Sequence, residues 1–272
     1  MKRTSLILWI VTIVFTIVTA YFQRRTGPTK PVRGIIQIGN TDIRYRLLRT
    51  ATTGEDAEVK VFVGDSEIEG YYRYKRFRSF DTWTSVPLTK SNGHLSAFIP
   101  NQPPAGKVMY QIVLQKNNKE YSLVDEPVIM RYKGHVPAIY LIPHILFMFI
   151  AMLYSNRSGL QAFFEKKKMF RLSFITFLSL VLGGLVFGPL VQKFAFGAYW
   201  TGFPFGHDLT DNKTAVAVIF WGIALYKSFR NSPKARWWVL TAAIVLFLTY
   251  MIPHSLLGSE LDFTTEAVNA TL

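Results

Sequence analysis

The sequence predicts an α + β membrane protein, with about five transmembrane helices and one extracytoplasmic Ig-like or fibronectin-like β-sandwich domain. Three observations predict it. Half of the residues are hydrophobic, and they gather in runs that approach the roughly 20 residues a helix needs to cross a bilayer. Between them lies a polar stretch, 23–136, long enough to bury a core of its own. The net charge of +14 is concentrated beside the apolar runs, at Lys2, Arg3, Arg157, Lys166, Lys167, Lys168, Arg171, Lys227, Arg230, Lys234 and Arg236. That is the pattern of cytoplasmic loops in a membrane protein, and no nucleic-acid-binding module accompanies it.

Residues 1–22 are read as an uncleaved transmembrane anchor. The apolar run Ser5–Phe22 is long for a signal peptide, and Ala20-Tyr21-Phe22 is a poor small-x-small cleavage site. In the 23–136 domain, Gly34–Ile38, Ile43–Leu48, Val59–Val63, Tyr71–Phe77, Leu95–Ile99, Val108–Gln115, Tyr121–Leu123 and Val128–Tyr132 are short runs rich in β-branched and aromatic residues. Turn signals separate them, among them Gly39-Asn40, Asn92-Gly93 and Asn117-Asn118. A four-helix transmembrane domain, 137–258, is expected to follow, with helices near Ala138–Tyr154, Leu172–Phe194, Thr214–Phe229 and Trp237–Leu257. The alternation puts the N-terminus and the basic loops in the cytoplasm of a plasma (inner) membrane protein. The β domain, an aromatic loop 192–213 and a C-terminal tail 259–272 then lie outside.

The chain has no cysteine, which excludes disulfides, thiolate metal sites, iron–sulfur clusters and cysteine nucleophiles. It also lacks a Gly-x-Ser-x-Gly elbow, a His-Glu-x-x-His helix and a phosphate-binding loop. What remains is imidazole and carboxylate chemistry. The triplet Ile-Pro-His occurs twice, ending at His144 and His254, at similar depth on two antiparallel helices. The aromatic loop adds His207, Asp208 and Asp211 at the mouth of the fourth helix. Ionisable groups inside a bilayer are costly and usually functional, and imidazole is the commonest metal ligand. His144, His207, His254, Asp208 and Asp211 are therefore the expected metal ligands for copper, zinc or iron, and a histidine on each of two helices would also suit haem b.

Structural roles compete with each assignment. Either helical histidine could bond a carbonyl freed by Pro143 or Pro253. One of Asp208 and Asp211 could cap the fourth helix. His94 and His135 are read as turn or linker residues.

The segment Gly197-Ala198-Tyr199-Trp200-Thr201, followed by Asp208 to Thr214 and by Trp221, is similar to the tryptophan-rich outer loop of haem-handling membrane proteins of cytochrome c assembly. The resemblance spans 197–221, with one tryptophan in the loop and no Trp-Asp-Pro-Lys-Glu core. It implies haem at the outer face, held through His144, His254 and Trp200.

The expected function is metal or haem binding at that face, in a redox subunit or a delivery protein. The competing expectation is a scaffold subunit of a membrane complex whose β domain binds an extracytoplasmic protein, perhaps along an edge strand. A transporter ranks last, because the helices carry almost no charge for a polar pathway.

Overall fold

The computed structural model describes residues 3–165, 169–253, 258–264 and 267–270. Helix α1, Arg3–Thr26, leads into a β-rich region. Its first hairpin pairs β1 (Val32–Ile38) with β2 (Thr41–Leu47) through the two-residue turn Gly39-Asn40. Gly39 has φ +60°, which a two-residue hairpin requires and glycine adopts without strain. Tyr45 lies across Gly34, where an added Cβ would sit 2.2 Å from the phenol oxygen.

The largest sheet runs in the order β3 (Thr50–Thr52), β11 (Val128–Lys133), β9 (Lys107–Lys116), β5 (Glu69–Arg76) and β6 (Thr84–Pro87), with β10 (Lys119–Ser122) also on β9. A smaller sheet orders β4 (Ala57–Phe62), β8 (His94–Ile99) and β7 (Thr89–Ser91). All pairings are antiparallel except β3 with β11. The hairpin and both sheets share one core, with Ile38, Val59, Leu95, Ile99, Ile112 and Met130 among its buried members. Burying these aliphatic side chains is the main stabilising term, at about 1.5–3 kcal/mol each. Phenols tie the sheets across this core: Tyr72 and Tyr132 donate to the carbonyls of Phe98 and Ile99 on β8, at 2.8 and 2.7 Å.

The eight strands foreseen from alternation, β1, β2, β4, β5, β8, β9, β10 and β11, all have their ends within two residues of the expected ones. Sequence reading missed β3, β6 and β7, which are three or four residues long and read Thr-Ala-Thr, Thr-Ser-Val-Pro and Thr-Lys-Ser. Their weak apolar pattern follows from their position at sheet edges. The expected C-terminal tail contains β12 (Ser259–Asp262), which pairs with β13 (Ala267–Ala270).

The remaining helices are α2 (Ala138–Leu160), α3 (Phe170–Leu180), α4 (Gly188–Phe196), α5 (Leu209–Phe229) and α6 (Ala235–Met251). A π-helical turn, Gln161–Glu165, extends α2, and another, Val181–Phe187, joins α3 to α4 as one long helix. Three helical stretches are long and apolar enough to cross a membrane: Ser5–Thr26, Ala138–Phe164 and Phe170–Phe196. Helix α6 is apolar but has 17 residues. The helices pack through small residues and one large side chain, with Ala151, Ala217, Ala224 and Ala242 buried around Trp221. Such small contacts let helix axes approach closely. The second π turn shows this, since a Cβ on Gly184 would lie 2.6 Å from the Thr214 methyl on α5.

The β region and the helices meet along a hydrogen-bonded seam. The Gly134 amide, just after β11, donates to the Ala195 carbonyl on α4 at 3.0 Å. The Leu261 amide of β12 donates to the Ala105 carbonyl at 3.1 Å. Glu260 is 2% exposed and forms ion pairs with Arg78 and Lys107 of the β region.

Candidate functional site

The loop 197–208 between α4 and α5 is built around two carboxylates. Asp208 caps α5: its Oδ1 accepts the amides of Thr210 (2.7 Å) and Asp211 (3.4 Å), satisfying donors that a helix start leaves open. Its Oδ2 accepts both the amide and the hydroxyl of Ser259, each at 2.8 Å. Asp211 Oδ2 accepts the amides of Thr201 (2.7 Å) and Gly202 (3.0 Å) and the Gln192 side chain (3.1 Å). The Thr201 hydroxyl lies 2.7 Å from that of Ser259 and closes the network. Both aspartates thus fold the loop and clasp the C-terminal segment onto it.

The expected site residues that lie among the described ones do not form one centre. His207 is exposed. Among the described residues, no three histidine or carboxylate side chains gather as metal ligands would. His254 lies outside the described residues. Trp200 donates from Nε1 to the Phe203 carbonyl at 3.1 Å and so braces its own loop. Its neighbours Tyr199, Phe203 and Phe205 are exposed, forming an aromatic tip.

His144 takes a different bond from either that Pro143 suggests. Its Nδ1 lies 2.8 Å from the carbonyl oxygen of Gly183, in the π turn of the adjacent helix. A carbonyl only accepts, so Nδ1 carries the proton and the Nε2 of the neutral ring keeps its lone pair.

His144 also lines the most informative feature of the molecule, a cavity of about 400 Å³ at the seam between the β region and the helices. Leu141, Met148, Val191 and Ala195 make one wall apolar, Gln192, Asp208, Thr210 and Asp211 make another polar, and Gly184 and Gly188 leave the cavity wide. Two cations from β11, Arg131 and Lys133, reach it from the β side.

Arg131 is 7% exposed and its guanidinium lies over the Phe196 ring at 5.6 Å. Its Nη2 makes a long bond, 3.4 Å, to the Gly258 carbonyl, while Nη1 is buried with no partner among the described residues. Glu260 and Asp208 attract it from a distance, but among the described residues no carboxylate forms an ion pair with it. The Lys133 ammonium likewise has no hydrogen-bond or ion-pair partner among the described residues. Burial, and the neighbouring Arg131 charge, push it below the usual lysine range. A buried donor left unsatisfied costs about 1–3 kcal/mol, more when it is charged.

Sequence reading passed over both cations. In β11 they stand two residues apart, as any pair on one strand face would, and only the docking of the strand onto the helices marks them. No family model, curated protein or solved structure matches the chain.

Proposed function

We propose that this chain is a multi-pass plasma-membrane protein whose junction cavity binds an anionic amphiphile. The acidic head sits between Arg131 and Lys133, and the apolar part lies along Leu141, Met148 and Val191. In this reading α1, α2, the α3–α4 helix, α5 and α6 all cross the bilayer, and the β region is an extracytoplasmic sandwich of immunoglobulin type roofing the cavity. The observation that carries the proposal is a buried guanidinium with a nitrogen that has no partner among the described residues, beside the half-buried Lys133, at a cavity whose wall is apolar along Leu141, Met148, Val191 and Ala195 and polar along Gln192, Asp208 and Asp211. Buried charges are normally paired, and an anionic head would complete both.

The test is native mass spectrometry of the detergent-purified protein, with extraction and identification of whatever remains bound. One acidic amphiphile per chain, lost in Arg131→Met/Lys133→Met, supports the proposal. An empty protein in every mild detergent and added lipid, or retention unchanged by the double substitution, overturns it.

A second reading keeps the metal or haem expected from the histidines, reduced to a single protein ligand from the described residues. It is favoured by His144, whose Nδ1 bond to Gly183 sets the tautomer that leaves Nε2 free to coordinate. Haem is itself an anionic amphiphile, so Arg131 and Lys133 would take its carboxylates. An absorption spectrum with elemental analysis decides this: a Soret band or stoichiometric metal, lost in His144→Ala, supports it, and a colourless, metal-free protein that retains another amphiphile removes it.

A further inference from the structure

The first hairpin carries its charge on one face. Directly opposed residues of an antiparallel pair share a face, and here Arg33 stands opposite Arg46, Ile35 opposite Arg44, and Gln37 opposite Asp42. All six side chains are exposed, whereas Ile36, Ile38, Ile43 and Leu47 of the other face pack into the core. Like charges directly opposed across two strands repel. Among the described residues none of the three arginines has an ion-pair or hydrogen-bond partner. On that face Ile35, opposite Arg44 and next to the Arg33–Arg46 pair, is 61% exposed.

The chain before the hairpin extends the pattern. Arg24 and Arg25 occupy the last turn of α1, and Lys30 follows; all three are exposed. Over 24–47 the sequence holds six cations, Arg24, Arg25, Lys30, Arg33, Arg44 and Arg46, against the single acid Asp42. Helix α1 ends at Thr26 and β1 starts at Val32. A linker that short spans at most about 20 Å, so the basic face is tethered beside the bilayer that α1 enters, whichever side that is.

We propose that the outer face of the β1–β2 hairpin is a docking surface for anionic phospholipid headgroups, with Arg33, Arg44 and Arg46 on the phosphates and Ile35 at the acyl boundary. The inference rests on the membrane-spanning part of the function proposed above, for α1 alone, and is independent of the cavity ligand. Charge complementarity and the tether favour lipid over an acidic protein. The surface that must be met is always within reach of the hairpin, and the exposed apolar side chain beside the cations suits a headgroup–acyl boundary.

The chain has no cysteine, so Ile35→Cys gives one labelling site for a polarity-sensitive fluorophore on the full-length protein. Incorporation into nanodiscs reports the membrane reading separately from the probe. In discs of phosphatidylcholine and phosphatidylglycerol in equal parts, emission shifts to the blue and access of a water-soluble quencher falls several-fold, relative to phosphatidylcholine alone. High salt and Arg33→Gln/Arg44→Gln/Arg46→Gln both remove the difference. Should the triple variant fail to fold, Arg44→Gln alone gives a partial loss. Equal emission and quenching in the two lipids, or a shift that survives the arginine substitutions, overturns the proposal.

Discussion

Asp208 grips Ser259 twice, accepting its amide and its hydroxyl at 2.8 Å on a single carboxylate oxygen, while the other oxygen caps α5. One side chain thereby fixes a helix start, the aromatic loop and the C-terminal segment. The network around it accounts for both loop aspartates without a metal, and it forms one wall of the cavity.

Replacing Asp208 with Ala removes the cap and the clasp together. A lost cap costs about 1 kcal/mol, and buried donors left open on Ser259 add about 1–3 kcal/mol. Asp208→Asn keeps one acceptor oxygen and loses less. Thermal unfolding in detergent is expected to rank the proteins as wild type, Asp208→Asn, Asp208→Ala. Equal midpoints for all three would contradict the clasp.

Arg131 gives the opposite sign. Its Nη1 has no partner among the described residues, so the ligand-free protein carries a buried cation with incomplete hydrogen bonding. Arg131→Met removes that charge and loses only a 3.4 Å hydrogen bond and the stacking on Phe196. Apolar replacement of poorly paired buried charge is commonly neutral or stabilising by about 1–4 kcal/mol. The delipidated variant is expected to unfold no earlier than wild type, yet to retain no acidic amphiphile. An early-unfolding Arg131→Met protein would mean that the guanidinium is structural.

Gly134 sets the spacing of the seam. A Cβ there would lie 2.1 Å from the Phe194 carbonyl oxygen, a backbone atom that cannot swing away. Gly134→Ala must therefore stretch the bond from residue 134 to Ala195, at about 1–3 kcal/mol for an overpacked contact. Limited proteolysis should cut faster between β11 and α2 in the variant than in wild type. Unchanged digestion would show that the seam tolerates displacement.

Acid should weaken one exposed corner of the β region. Arg76 donates to both oxygens of Asp81 at 2.8 Å and holds its carboxyl down at about 2. A carboxyl depressed in the folded state stabilises above its ordinary range near 3.8, and that contribution disappears as pH falls toward 2. The unfolding midpoint of wild type should exceed that of Asp81→Asn at pH near 5, with the gap closing in acid. A gap that widens on acidification would have the wrong sign.

The parts legible in the sequence are those where one residue type fixes local geometry. Asn92-Gly93 and Asn117-Asn118 have the positive φ values of two-residue hairpin turns, and Asp208 is the N-cap that its place before an apolar run suggests. The π turn at Val181–Phe187 left no such mark, and in the fold it packs closely against α2 and α5. It supplies the Gly183 carbonyl that holds His144, so the partner of that histidine could not be read from Ile-Pro-His alone. Arg131 and Lys133 were hidden for a related reason: strand alternation gives their face, and only tertiary docking gives what that face meets.

The clasp also orders events in time. Ser259 and Glu260 follow every helix in the chain, so they leave the ribosome after the β region and all the membrane segments. Until then Asp208 has no Ser259 to hold, and Arg131 has no Gly258 carbonyl to reach. During synthesis the cavity is open at the side that the C-terminal segment later covers. In the reading proposed above, that interval is when a bulky ligand enters, before β12 closes over it.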